Sequence, residues 1–113
     1  MYLSQKYAKE NNVVVVLKGA GTVVASPKGE TRIIGSGTDA MATAGSGDVL
    51  AGLIGGFLAQ GLTPFDAATL GAYVHGLAGE LAEKELSKYS VMATDILKNI
   101  QYVYFYILLV QVF

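Results

Sequence analysis

The order of apolar and polar positions along the chain predicts a short helix followed by three strands. Residues 3–11 are mostly polar with scattered apolar positions, and this pattern predicts a helix that ends at Asn11 and Asn12. Residues 13–17 form an unbroken apolar run, which predicts a strand buried on both faces, as in the parallel sheets of α/β proteins. Two further strands are predicted at residues 22–25 and 31–34, next to turns at residues 18–21 and 27–29.

The second half of the chain carries helical signals. Residues 35–47 are rich in small residues, and they lead directly into an apolar run that predicts a helix over residues 49–58. A glycine inside a helix costs about 1 kcal/mol relative to alanine, so the glycines of this helix imply close packing against a neighbour. Gly61 predicts its end. Two more helices are predicted, one that starts at Thr63, Pro64 and Asp66 and ends near Leu86, and one from Ala93 or Thr94 to Ile100.

The end of the sequence is unusually apolar. Between Tyr102 and Phe113 only Gln111 is polar, and no residue is charged. The segment is too short to span a bilayer, which needs about 20 apolar residues, so no membrane association is expected. We expect a buried strand or an abnormal chain end. We therefore divide the chain into a domain region, residues 1–100, and an atypical apolar tail, residues 101–113.

The composition narrows the range of functions. Of the 113 residues, 52% are hydrophobic and 15% are charged, which predicts one domain, or part of one, rather than a disordered chain. The formal net charge of −1 provides no field that would hold nucleic acid. The absence of cysteine excludes disulfides, thiolate metal sites and cysteine nucleophiles. No basic flank precedes an apolar run at the start, so export is not indicated and a cytoplasmic location is expected.

The clearest chemical signal is the glycine-rich segment that precedes the helix predicted at residues 49–58. Ala44, Gly45, Ser46 and Gly47 would place exposed backbone amides at a helix start, where free N–H groups and the helix dipole attract phosphate. No Gly-Lys-Ser/Thr sequence follows, which excludes a Walker A loop, and Leu50 stands at the third glycine position of a dinucleotide-binding fingerprint. The segment therefore predicts an anion hole of another kind.

Asp48 directly follows this segment and has two interpretations. A carboxylate beside an anion hole would repel the anion unless it accepts a proton from a hydroxyl that attacks the phosphate, which is an arrangement for phosphoryl transfer. Alternatively, Asp48 caps the helix and interacts with its dipole, as aspartate commonly does. Spacing alone favours the cap without excluding the base.

Four motifs together resemble those of a known enzyme family. They are Leu-Lys-Gly-Ala-Gly-Thr (residues 17–22), Met-Ala-Thr-Ala-Gly-Ser-Gly-Asp-Val-Leu-Ala-Gly (41–52), Ala-Tyr-Val-His-Gly (72–76) and Ala-Thr-Asp (93–95). In this order they look like the successive motifs of the NAD(P)H-hydrate dehydratases, which have a ribokinase-like fold. The resemblance implies a three-layer α/β/α architecture, of which this chain would be a C-terminal fragment only.

The resemblance also implies a repair reaction in which ADP or ATP drives the loss of water from hydrated NAD(P)H. Asp48 would be the base, and Gly47 with its neighbouring amides would hold the transferring phosphate. Magnesium is expected to arrive with the nucleotide phosphates, because no two carboxylates have the spacing of a protein-held metal site. The nucleotide-binding site would be lined by Lys18, Gly19, Ala20, Gly21 and Thr22. Without the family, these residues are equally typical of a hairpin turn.

Two other functions stay open. The chain could belong to a related kinase of a small alcohol such as a vitamin precursor, again with Asp48 as base, or it could be a non-catalytic remnant that binds nucleotide. Association into a homo-oligomer is left open as well. His75, the only histidine, lies among glycines and alanines, and we interpret it as a residue of close helix packing rather than of catalysis.

Overall fold

The computed structural model describes residues 2–19, 21–38, 41, 43–87 and 89–112, with side chains as far as Tyr104. The predicted order of one helix, three strands and three helices is confirmed. The elements are α1 (Tyr2–Asn11), β1 (Val15–Leu17), β2 (Thr22–Ala25), β3 (Thr31–Ile34), α2 (Ser46–Ala59), α3 (Pro64–Glu85) and α4 (Ala93–Val112).

The three strands form one antiparallel sheet in the order β1-β2-β3. Leu17 pairs with Val23, and Ala25 pairs with Thr31, so both connections are short hairpins. The prediction that the first strand is buried on both faces, as in a parallel sheet, is wrong, because β1 is antiparallel to β2 and Leu17 is 51% exposed. The physical reason is that residues 18–21 are far fewer than the dozen or more that a parallel crossover needs.

Helices cover both faces of this sheet. Successive residues of a strand point to opposite faces, so Thr31 and Arg32 of β3 contact different helices. Thr31 accepts a hydrogen bond from Gln5 of α1, whereas Arg32 donates to Asp66 of α3 at 2.9 Å. The sheet therefore lies between α1 on one side and α3 on the other, which is the layered α/β/α arrangement.

Two apolar clusters fix the helices against the sheet and against one another. In the first, Val24 and Ile34 of the sheet pack with Leu50 of α2 and with alanines of α3. The second joins α2, α3 and α4 around the fully buried Val74 and Ile96. Burial of a side chain of this size stabilises the fold by roughly 1.5–3 kcal/mol. The start of α2 is thereby held at a fixed place relative to both the sheet and α3.

Helix α3 approaches its neighbours closely at its glycines. A Cβ at Gly71 would lie 2.6 Å from Ile54 Cγ1 of α2, and one at Gly76 would lie 2.2 Å from Ser36 Oγ. The interpretation of this helix as a closely packed one is confirmed. The same expectation for α2 is wrong, since a Cβ at Gly52, or at either of the next two glycines of that helix, would meet nothing within 4 Å. Helix α2 thus has an open glycine face in this chain.

The predicted helix boundaries between α2 and α3 are confirmed by their geometry. Helix α2 is followed by Gly61, whose φ of 99° ends the helical path. Thr63 is the N-cap of α3, and its hydroxyl accepts a hydrogen bond from the Asp66 amide at 3.3 Å. Pro64 occupies the first position of the helix, where a missing N–H costs nothing.

Helix α4 is longer than predicted. It begins at Ala93, as expected, but continues past Ile100 to Val112. The expected buried strand is therefore wrong for residues 102–112, and Phe113 lies outside the described residues. The physical reason is that no glycine or proline follows Ile100 to stop the helix. The division of the chain at residue 100 stays a prediction. None of the described helices has the length and apolar character to cross a membrane.

Candidate active site

A groove of about 880 Å³ lies where the β1–β2 turn, the loop after β3, and helices α2 and α3 meet. Its volume falls in the range of sites that hold small ligands and cofactors. Ile34, Leu50 and Ala72 give it an apolar part. The polar side chains that line it come from all four segments and are Lys18, Thr22, Ser36, Thr38, Thr43, Ser46 and His75.

Helix α2 enters the groove through a turn that requires glycine. Gly45 is the N-cap residue, with φ 87° and ψ −8°, a conformation that residues with a side chain rarely adopt. A Cβ at Gly45 would also come within 3.3 Å of the Ala93 side chain, at the start of α4. The motif at residues 93–95 therefore meets the glycine-rich motif in space.

The backbone amides of this turn are only partly available to a ligand. Asp48 and Val49 both donate to the carbonyl oxygen of Gly45, at 3.1 and 3.2 Å, and Ser46 donates to a carbonyl three residues earlier. The amide of Gly47 has no such acceptor in the described part of the chain. Among the first four residues of α2, Gly47 is thus the one whose amide has no backbone acceptor in the described part of the chain.

The side chain of Lys18 reaches the same turn from the β1–β2 connection. A Cβ on Gly47 would lie only 2.8 Å from Lys18 Nζ, so the ammonium group comes this close because Gly47 has no side chain. Helix starts attract anions through their free amides and the positive end of the dipole, and an ammonium group adds a full positive charge. The pair of Lys18 and Gly47 therefore has the chemistry of a phosphate site.

His75 of α3 packs against the turn from the protein interior. Its side chain is 7% exposed, and Nε2 lies 3.0 Å from the carbonyl oxygen of Ser46 and 3.1 Å from Ser46 Oγ. Burial lowers the pKa of His75 below its ordinary value of 6.5, the hydrogen bond to the Ser46 backbone opposes this, and the charge of Lys18 lowers the pKa further. A carbonyl oxygen only accepts hydrogen bonds, so a hydrogen bond to the Ser46 carbonyl requires the proton on Nε2, whereas the Ser46 hydroxyl can donate to Nε2 or accept from it.

Comparison with known proteins identifies the family. Residues 1–102 match the family model for NAD(P)H-hydrate dehydratase. The chain belongs to this family. It is 50% identical over 101 residues to the bifunctional NAD(P)H-hydrate repair enzyme of Moorella thermoacetica. The matched region covers 89% of this chain and 19% of that enzyme.

Solved structures place the dehydratase segment in the ribokinase-like α/β fold. The ADP/ATP-dependent NAD(P)H-hydrate dehydratase from Bacillus subtilis, co-crystallised with ATP and Mg²⁺, matches with a TM-score of 0.86 and 32% identity, over 91% of this chain and 37% of that one. A ribokinase-like superfamily protein from Enterococcus faecalis matches with a TM-score of 0.74 and 34% identity, over 88% of this chain and 34% of that one. The chain thus spans less than two fifths of the length of these relatives.

Most of the residues predicted for the dehydratase site lie at the groove. Those that line it are Lys18, Gly19, Gly21, Thr22, Ser46 and Gly47. Gly45 shapes the turn without lining the groove, and Ala44 is exposed beside it. Ala20 lies outside the described residues.

Asp48 lies at the start of α2 but not in the groove wall. Its side chain is exposed and makes no hydrogen bond or ion pair with the described residues. The N-cap position belongs to Gly45, so Asp48 does not cap the helix through a side-chain hydrogen bond. Asp48 directly follows Gly47 in the sequence, and its carboxylate is open to solvent.

His75 also lines the groove, although the sequence indicated only a role in helix packing. The interpretation as a packing residue is correct in part, since His75 is buried in a helix whose glycines approach other segments closely. It did not anticipate the hydrogen bond to Ser46. The available signal was the motif at residues 72–76, which resembled the family as a unit and therefore carried more than a packing pattern.

The described residues contain no cluster of three or more His, Asp or Glu side chains that could hold a metal ion.

Asp66 is another carboxylate in the first turn of a helix, but it pairs with Arg32 outside the groove. Its hydrogen bond with Arg32, at 2.9 Å, lowers the pKa of the Asp66 carboxyl below the ordinary value, against a smaller opposing effect of burial. Asp66 therefore provides a comparison for Asp48 that is remote from the groove.

Proposed function

We propose that this chain forms the nucleotide and phosphate side of an ADP/ATP-dependent dehydratase that restores NAD(P)H from its hydrate. The observation that supports this most directly is the approach of Lys18 Nζ to the backbone of Gly47 at the start of α2. A free amide and an ammonium group at a helix start favour phosphoryl oxygens. The Bacillus subtilis relative supports the choice of nucleotide, because that enzyme is an ADP/ATP-dependent NAD(P)H-hydrate dehydratase.

In this proposal the nucleotide lies along the groove with its phosphates at Lys18 and Gly47. The turn at residues 18–22 forms one wall, where Gly19 and Gly21 allow the backbone to come close to the ligand and Thr22 offers a hydroxyl. The apolar part of the groove suits the less polar end of the nucleotide. The groove volume of about 880 Å³ is sufficient for a ligand of this size.

Asp48 is the proposed base. Its carboxylate takes the proton of the substrate hydroxyl while that oxygen attacks the terminal phosphorus of the nucleotide, and Lys18 offsets the charge on the phosphoryl oxygens. The phosphoanhydride bond of that phosphorus breaks at the same time, and the nucleotide leaves with one phosphate fewer. The bond between the ring carbon and the ester oxygen then breaks, and inorganic phosphate leaves with the bonding electrons. A proton on the neighbouring ring carbon passes to solvent, and the electrons of that C–H bond restore the double bond of NAD(P)H. The Asp48 side chain is exposed and makes no ion pair with the described residues, so its carboxylate is accessible to a substrate hydroxyl.

Magnesium, in this proposal, comes bound to the nucleotide phosphates and offsets their negative charge. The groove fits such a complex, because its described polar groups include an ammonium group and a free amide that complement the phosphates. Lys18 and the Gly47 amide hold phosphoryl oxygens and need no direct contact with the cation.

A related kinase that phosphorylates a small alcohol is the second candidate function. The match to a ribokinase-like superfamily protein with a TM-score of 0.74 supports this kinase function as an alternative. The same base and anion site would serve both reactions. A product assay on a full-length protein that carries this sequence separates them. With hydrated NADH and ATP, we expect NADH to appear in step with nucleotide consumption. A stable phosphorylated alcohol, without NADH recovery, would favour the kinase, and absence of both would favour a non-catalytic remnant.

Replacement of Lys18 by methionine is expected to weaken ADP binding to the 113-residue chain by about tenfold or more. The reason is that a hydrogen bond to a charged group contributes on the order of 1.5–3 kcal/mol. Isothermal titration calorimetry at fixed ionic strength measures the change. Lys28→Met is the matched control, because it removes the same charge from an exposed turn outside the groove. Equal losses for both variants would contradict the proposed contact.

A further inference from the structure

Backbone hydrogen bonds of Ser46, Asp48 and Val49 hold the turn that begins α2, but none of them involves the Gly47 amide. Gly45 and Gly47 flank Ser46, and glycine loses more backbone freedom on folding than any other residue. Gly45 also provides no side-chain cap for the helix. A constraint from outside the turn is therefore needed if the Gly47 amide is to point at the same place as Lys18 Nζ.

His75 provides a constraint of this kind. Ser46 is buried, and both its carbonyl oxygen and its hydroxyl lie within 3.1 Å of His75 Nε2. The hydrogen bond joins the first residue of α2 to the middle of α3, a separation of 29 residues. On the α3 side the backbone next to His75 is closely packed, because a Cβ at the adjacent Gly76 would overlap Ser36.

We propose that His75 is a positioning residue for the phosphate-binding turn, with Nε2–H donating to the Ser46 carbonyl oxygen. The hydrogen bond fixes Ser46 and thereby aims the neighbouring Gly47 amide at the phosphate held by Lys18. The inference rests on the proposed phosphate site for its functional meaning, whereas the restraint on the turn is independent of any ligand. His75 itself transfers no proton in this scheme and makes no covalent bond.

The restraint is tested first on the unsubstituted 113-residue chain. Because His75 is the only histidine, nuclear magnetic resonance of a sample labelled with ¹⁵N-histidine reports its tautomer without assignment ambiguity. We expect the Nε2–H tautomer of the neutral ring at pH 7. A ring protonated on Nδ1 alone would overturn the proposal, because such a ring cannot donate to Ser46.

The second measurement is amide hydrogen exchange in variants. His75→Leu is expected to accelerate exchange at Asp48 and Val49, whose hydrogen bonds to Gly45 define the turn, by about tenfold relative to the rest of α2. His75→Gln, which returns a donor near the position of Nε2, should restore most of the protection. Val74→Ala is the control, since it removes buried atoms from the same helix away from the groove. Acceleration at the turn in Val74→Ala equal to that in His75→Leu would overturn the proposal.

The third measurement links the turn to ligand affinity. ADP binding is expected to weaken about tenfold in His75→Leu and to recover in His75→Gln, while Val74→Ala binds as the unsubstituted chain does. Unchanged affinity in His75→Leu would overturn the positioning role. If the unsubstituted chain binds no ADP, the proposed nucleotide site fails, and the tautomer and exchange results still decide whether His75 restrains the turn.

Discussion

Replacement of Asp48 by asparagine, in a full-length dehydratase that carries this sequence, is expected to lower turnover of hydrated NADH by about 100- to 10,000-fold. Asparagine keeps the size of the side chain but cannot take a proton from the substrate hydroxyl. Nucleotide affinity should be retained, because the proposed phosphate contacts come from Lys18 and the Gly47 amide. The two measurements are steady-state recovery of NADH and ADP binding by calorimetry.

Asp66→Asn is the matched control for this experiment. Both aspartates are exposed and lie in the first turn of a helix, so both interact with a helix dipole. Asp66, however, pairs with Arg32 outside the groove, and its replacement should affect stability rather than turnover. Normal turnover in Asp48→Asn would show that the base assignment is wrong. Similar losses of turnover in both variants would point to a general effect of removing a helix-start carboxylate.

Replacement of Gly76 by alanine is expected to destabilise the fold by about 1–3 kcal/mol or more. The new Cβ would lie 2.2 Å from Ser36 Oγ and 2.7 Å from the Ser36 carbonyl carbon. Relief requires movement of the backbone after β3, because a rotation of the hydroxyl alone does not remove the second overlap. The loop that lines the groove would move as well. Urea denaturation followed by circular dichroism measures the loss of stability.

Alanine substitutions at two other glycines provide controls for the effect at Gly76. Gly79→Ala should cost less, because its Cβ would meet only Met41, a flexible side chain that can shift. Gly52→Ala should stabilise the chain by up to about 1 kcal/mol, since it lies in a helix and its Cβ would meet nothing within 4 Å. If all three variants had the same stability, close approach of α3 to the loop at Ser36 would not be the reason for Gly76.

The short distance between Lys18 Nζ and Gly47 links two of the family motifs, the one at residues 17–22 and the one at residues 41–52. A side chain at Gly47 would displace the Lys18 ammonium group rather than block the amide alone. In the proposed function, the glycine-rich motif and the turn at residues 18–22 form one phosphate site, although they belong to separate segments of the sequence. The proposed positioning role of His75 adds α3 to this site.

The sequence by itself determined the elements whose signals are local. The turn at residues 27–29, the cap at Thr63 and the helix-ending Gly61 were all predicted, because each depends on the backbone preferences of a few neighbouring residues. The family was also recognisable from the order of four motifs, and the match over residues 1–102 confirms it. Asp48 and the turn at residues 18–22 were singled out at this level, and their roles stay proposals.

Only the tertiary structure decided the features that depend on distant segments. The apolar run of β1 carried no information on the direction of its partner, and Leu17 proved to be half exposed beside an antiparallel strand. The positions of Lys18 Nζ at Gly47 and of His75 at Ser46 follow from the packing of α2 and α3 onto the sheet. No local pattern encodes such distances, because they arise from the sum of many burial contacts across the chain.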